Sequence, residues 1–183
     1  MQNNETIGSI NTSAMQKGAC LGLFGIASLV VFKWSFTLPL LSSLFTLMVL
    51  ASPVLAALLT MRYRNESTEK FDFIKGFLHT LFMGFYASIW VAVVVFVYLQ
   101  YFDHGTIFAA YGQSIDTPEI HQYLMQSGID AQLYELSGAH GVQGLVSALQ
   151  SMGAATYASM PLYSAMFFGP IISVIVGVIC RRK

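Results

Sequence analysis

A block without a single charge, residues 81–99, limits what this chain can become. It lies inside the stretch 73–101, which as one helix would run about 43 Å, against the roughly 30 Å hydrocarbon core of a bilayer. A soluble domain of this size has no interior wide enough to hide such a helix, so the stretch predicts a transmembrane span. Down one side of it Gly76, Thr80, Gly84, Ser88 and Ala92 recur every four residues. That spacing keeps them on one stripe, where a neighbouring backbone can approach closely. The flanking charges are uneven. Arg62, Arg64, Lys70 and Lys75 precede the uncharged block, and the next basic residue is Arg181.

Composition agrees with a membrane class: 10% of residues are charged, where a soluble domain carries about 25%. Nucleic acid is excluded as a partner, because no basic face with interleaved aromatics exists. The two cysteines, Cys20 and Cys180, both sit in apolar segments. They exclude a disulfide framework and a cysteine-based zinc site, and read as small packing residues. No phosphate-cradling loop, nucleophile elbow or HExxH motif occurs. The expectation is therefore no catalytic residue, no cofactor and no metal.

Four apolar stretches, 14–32, 36–61, 73–101 and 157–180, predict an all-α, four-transmembrane-helix bundle forming a single membrane domain over 1–183. Residues 1–13 read as a short polar tail. Lys17 is placed to snorkel to lipid headgroups, and the absence of a small-residue cleavage site after the first span argues that it stays uncleaved. Residues 33–39 predict a tight turn with Trp34 as an interface anchor. Pro53 predicts a kink near 51–52, with Ser52, Ser42, Ser43 or Thr46 available to satisfy the freed carbonyl. Ala14, Gly18 and Gly22 form a second small stripe; Ala165, Gly169, Ser173 and Gly177 form a third. The expected helix-packing residues are Gly18, Gly22, Gly76, Gly84, Ser88, Gly169, Ser173 and Gly177.

Residues 62–75 mix basic and acidic groups and read as a solvated connector. Lys and Arg concentrate in cytoplasmic loops, so this connector and the tail 181–183 are expected inside. The segment 103–155 carries Asp103, Asp116, Glu119, Asp130 and Glu135 without one basic residue, and is expected outside. The result is an N-in/C-in topology, with Lys33 alone dissenting. Within 103–155, Thr117-Pro118-Glu119 is a helix start. Ile120, Tyr123 and Leu124 then share a face. A second piece opens at Asp130 with Leu133, Tyr134 and Leu136, and closes at Gly138. Val142, Leu145, Val146 and Leu149 continue the helical period. These pieces predict a folded helical cap.

His79 is the one imidazole inside a predicted span, about one turn from the basic connector, and an intramembrane ionisable group is a functional candidate. No carboxylate falls inside a predicted span to partner it. Asp103, His104, Asp116, Glu119, His121, Asp130, Glu135 and His140 have no metal-ligand spacing; Glu119 and His121, two apart, do not share a helical face.

Taken together, the FDFIKGF start, the YFDHG exit of the third span, the acidic helical loop and the closing GPIISVIVGVICRRK resemble the DUF4199 family, from about residue 14 to the end. That resemblance implies a small four-span inner-membrane protein of the Bacteroidota with no assigned activity. It also implies a membrane-protein partner, of which polyprenyl-phosphate glycosyltransferases are the expected class. From the residues themselves, packing chemistry is ample and reactive constellations are lacking. The expected function is a non-enzymatic integral membrane protein, a partner or accessory subunit of another membrane protein and in contact with the lipid bilayer. The alternative is a small self-associating transporter or lipid-handling channel, a homo-oligomer, suggested by Pro53, Pro170 and His79.

Overall fold

The computed structural model describes residues 2–67 and 70–181, with side chains from Ile7 onward. All the regular structure described is helical: α1 (Gln2–Ser35), α2 (Pro39–Glu66), α3 (Phe73–Tyr101), α4 (Thr106–Ile115), α5 (Pro118–Gln126), α6 (Ile129–Ser137), α7 (Gly141–Ser151) and α8 (Gly153–Cys180). Four of these, α1 from Ile7, α2, α3 and α8, are long and apolar enough to cross a membrane. The expected all-α chain with four helices of membrane-crossing length is thus found, and the four short helices α4–α7 fall between the third and fourth long ones, where a helical loop was expected.

The third stretch forms over the expected residues. Asp72 sets its start, because the carboxylate accepts from the Lys75 N–H at 2.9 Å and so satisfies one of the open donors of the first turn. The first stretch differs. Residues 2–13 are not a tail but the opening of α1, with Ile10 and Ala14 buried. Among its described side chains Asn11 finds a partner on α3, its Oδ1 accepting from the Tyr86 hydroxyl at 2.8 Å. Helix continues where the tail was expected because tertiary contacts outweigh local polarity.

The second span starts at Pro39, three residues later than expected, since proline suits the first helical position. It ends at Glu66 rather than 61, its last turn held by the Arg62–Glu66 pair at 3.1 Å. The connector shrinks accordingly. The helix runs unbroken through Pro53, and the Ser52 hydroxyl donates to the Val49 carbonyl at 2.8 Å, the acceptor that proline leaves empty. The last span begins at Gly153, four residues early, where a φ of +74° favours glycine.

α3 is the central helix, packed between α1 and α8, while α2 leans on α1 and touches α3 and α8 more lightly. The cores lie toward one end. Ala14, Ala56 and Met83 join α1, α2 and α3. Phe71, Val176 and Cys180, with Ala57, Met61 and Tyr63, join the connector, α8 and α2. Cys20 is exposed. Along their remaining length the long helices leave large apolar residues uncovered, such as Leu40, Leu47, Leu50, Phe167 and Phe168.

The small stripes are used unequally. A Cβ on Gly18 would meet Tyr86 Cβ at 2.7 Å, and one on Gly22 would meet Trp90 Cβ at 3.0 Å, so α1 lies backbone-close to α3. Gly76 and Gly177 face each other, with a Cβ on Gly76 only 3.2 Å from the Gly177 Cα. Gly169 has ordinary room beside Leu81. Ser88 is buried and bonds its own helix at the Phe85 carbonyl, and Ser173 is buried with its hydroxyl unpaired. Gly84 is corrected: a Cβ there meets nothing within 4 Å, because α1 packs on Met83 and Ala87, one face over.

The segment 103–155 is a folded cap with a core of Leu124, Leu133, Val142 and Ala148. Thr117 caps α5 as expected, accepting from the Ile120 N–H. α4 was not legible beforehand. Its start is organised by Asp103, whose carboxylate accepts from the Thr106 hydroxyl at 2.7 Å and the Ile107 N–H at 3.2 Å.

A polar pocket and a directed hydrogen-bond chain at one end of the long helices

His79 lies at the end of the helices where α1, α2 and the start of α3 converge. It is fully buried, with its ring stacked on Tyr63 at 4.4 Å between centroids. Its Nε2 is 3.3 Å from Ser13 Oγ of α1, and its Nδ1 is 3.1 Å from Thr60 Oγ1 of α2. Thr60 Oγ1 is in turn 3.0 Å from Thr80 Oγ1. On the outer side, Lys17 Nζ donates to Ser13 Oγ at 3.2 Å and to Glu66 Oε2 at 2.7 Å.

Proton bookkeeping fixes the inner end of this row. The Thr80 hydroxyl donates to the Gly76 carbonyl at 2.9 Å, so toward Thr60 it can only accept. Thr60 therefore donates to Thr80, and having one proton it must accept from His79 Nδ1–H. For a neutral imidazole this is the Nδ1–H form, with Nε2 an acceptor. Ser13 donates to that nitrogen and accepts from Lys17. The chain runs one way, Lys17 to Ser13 to His79 to Thr60 to Thr80 to the Gly76 carbonyl, and every buried member is satisfied.

Lys17 does not snorkel as expected. Its side chain is 13% exposed, drawn inward by Glu66 and lying 5.4 Å from the Tyr63 ring. Glu66 is also the carboxylate that His79 lacked, reached through Lys17 and Ser13 because α2 continues past residue 61. The sequence singled out His79 but not Ser13, Thr60, Tyr63 or Glu66. The available signal was spacing: Ser13 and Lys17 lie four apart, Thr60 and Tyr63 three apart, each pair on one helical face. Beside this chain opens a polar cavity of about 570 Å³ whose lining includes Thr12, Ser13, Gln16, Lys17, Glu66 and Lys75.

The cap residues weighed from sequence do not form one site. His121 Nε2 pairs with Asp116 at 2.6 Å, and His140 Nδ1 with Asp130 at 2.8 Å. Asp103 is buried and spent on the α4 start and on the Tyr98 hydroxyl. Among the described residues no group of three or more His, Cys, Asp or Glu is placed to hold a metal ion.

The model of a family described as protein of unknown function, DUF4199, matches residues 16–182, nearly the whole chain. No curated protein and no solved structure matches.

Proposed function

The chain belongs to the DUF4199 family, and from that premise we propose that it serves, without chemistry of its own, as an accessory subunit of another membrane protein. In this reading it crosses the bacterial inner membrane four times, with both termini inside and the cap in the periplasm. The observation that carries the partner role is the cap surface. Its four helices have their own core, yet Tyr123, Met125, Tyr134 and Leu136 stay more than half exposed. Burying such large apolar side chains against a partner is favourable. Charge placement supports the orientation. Lys17, Arg62, Arg64, Lys75 and Arg181 gather at one end of the long helices, through the Lys17–Glu66 pair and the packing of Phe71 on Cys180. The acidic cap lies at the other, the arrangement expected when basic groups stay in the cytoplasm. By family resemblance, the partner class is a polyprenyl-phosphate glycosyltransferase.

A photo-reactive residue in place of Met125 or Leu136 tests the role in intact cells. Cross-linking to one integral membrane protein in stoichiometric yield is the expected result. Cross-links to lipid alone would overturn it. Cross-links between two copies of the chain would favour the second reading, a self-associating transporter or lipid-handling channel, whose support is the polar cavity reaching buried His79.

A further inference from the structure

We infer that the seam between the last turns of α2 and α8 is a docking surface for one anionic phospholipid, its head group held by Arg64 and Arg181 with Lys70 adding charge. The surface is built around a small buried cluster. Phe71 of the connector, Val176 and Cys180 of α8, and Ala57, Met61 and Tyr63 of α2 close the seam. Each of the three segments that enter this cluster carries a cation one residue away from it. Arg64 follows Tyr63, Lys70 precedes Phe71 and Arg181 follows Cys180. Residues 57, 61 and 64 share one helical face, so Arg64 continues the side of α2 that packs on α8, within electrostatic reach of Cys180. None of the three cations is spent. Arg64 bonds only the neutral side chain of Asn65, Lys70 and Arg181 are exposed, and among the described residues no ion pair involves any of them. The described acids of this end are committed elsewhere, Glu66 to Lys17 and Arg62, Asp72 to the start of α3. Like charges gathered this way repel, and an anion shared among them relieves the repulsion.

The donors suit a phosphodiester. A guanidinium presents paired N–H groups that match two phosphate oxygens, and the two bonds to Asn65 leave Arg64 three of its five donors. The tails of the ligand have a place as well. Leu58 of α2 and Val178 and Ile179 of α8 are more than half exposed, within two helical turns of the arginines. A soluble anion would use the arginines alone, whereas a phospholipid also covers this apolar surface, which favours the lipid. In the orientation proposed above this end meets the cytoplasmic leaflet, where basic groups are drawn to anionic lipid. The inference rests on the membrane reading but not on the cap's partner.

Native mass spectrometry of the full-length chain, released from micelles doped with equal amounts of phosphatidylglycerol and phosphatidylcholine, tests the site. One phosphatidylglycerol should be retained per chain in preference to phosphatidylcholine. Arg64→Gln and Arg181→Gln should each weaken that retention about fivefold, the effect of one basic group at a membrane surface, and the double variant should abolish the preference. Arg62→Gln is the control. It removes a cation from the same end, but two residues from Arg64 and so off its face, where Arg62 is already paired with Glu66; its retention should equal that of the native chain. Melting of every variant in phosphatidylcholine alone should match the native value, which separates a lost ligand from a lost fold. The measurement is blind to orientation and to the cap's partner, so a failure there and a failure here are separate results. Equal retention of the two lipids, a preference that survives in the double variant, an equal loss in Arg62→Gln, or displacement of the lipid by inorganic phosphate would overturn the site.

Discussion

Thr60 is the position at which the buried polar chain can be cut with least disturbance to packing. Thr60→Val keeps shape but leaves the His79 Nδ1–H without an acceptor in a fully buried place. An unsatisfied buried donor costs about 1–3 kcal/mol. Thr60→Val should therefore melt measurably lower in detergent, and Thr60→Ser should stay near the native value; equal melting of all three would mean the chain is not closed as described. The glycines give a second contrast. Gly18→Leu drives a side chain into Tyr86 and the Met83 carbonyl, and overpacking of this kind costs about 1–3 kcal/mol. Gly84→Ala, with open space, should be nearly neutral, as paired melting curves would reveal. Gly84 also marks what sequence could not tell. Spacing of four says which residues share a stripe, but not which stripe the neighbour chooses, and α1 chose Met83 and Ala87. His79 was legible because an imidazole in an apolar run is conspicuous. Its partners were not, since Ser13 lies 66 residues away along the chain.

At the level of elements, α3 was readable to its ends because a charge-free run meets an Asp72 cap at its start. α4 escaped notice because its cap comes from Asp103, ahead of Gly105, with no serine or threonine directly before the helix. The joint between α6 and α7 carries a pH dependence. Asp130 accepts from the Gly141 N–H at 2.6 Å and bonds His140, and these two, the backbone donor foremost, hold its carboxyl below the usual carboxylate range. A depressed folded value means that the joint is stabilised above the unfolded value of about 4 and loses that support as the pH falls through the folded one. Hydrogen exchange of α6 and α7 amides, corrected for intrinsic rates, should show protection falling below about pH 4. In Asp130→Asn that acid dependence should flatten; an unchanged profile would mean the bond does not hold the joint.

For the whole molecule, the dissenting Lys33 finds its place. Its ammonium lies 5.0 Å from the Tyr98 ring, and the Tyr98 hydroxyl bonds Asp103. The lysine at that end thus lies against a tyrosine that itself bonds a carboxylate, which softens its conflict with the charge pattern. The orientation itself is tested by single cysteines at Ser67 and Gln126 in a chain lacking Cys20 and Cys180. An impermeant maleimide applied from outside should label the second and spare the first; the reverse would turn the protein over. A further consequence follows from the small cavity at the cap's base, where Leu99 and Asp103 share walls with Gly153 and Ala154. The cap leaves and rejoins the long helices at nearly one point, so it is a bead threaded onto a hairpin. Closing that hairpin with a shorter loop costs little, since loop entropy changes only with the logarithm of length. Replacing 106–150 by a few glycines and serines should leave α3 seated on α8 through Gly76 and Gly177. Thermal melting of that shortened chain close to the native value is the expected outcome, and a collapse in melting would mean that the cap helps to hold the long helices together.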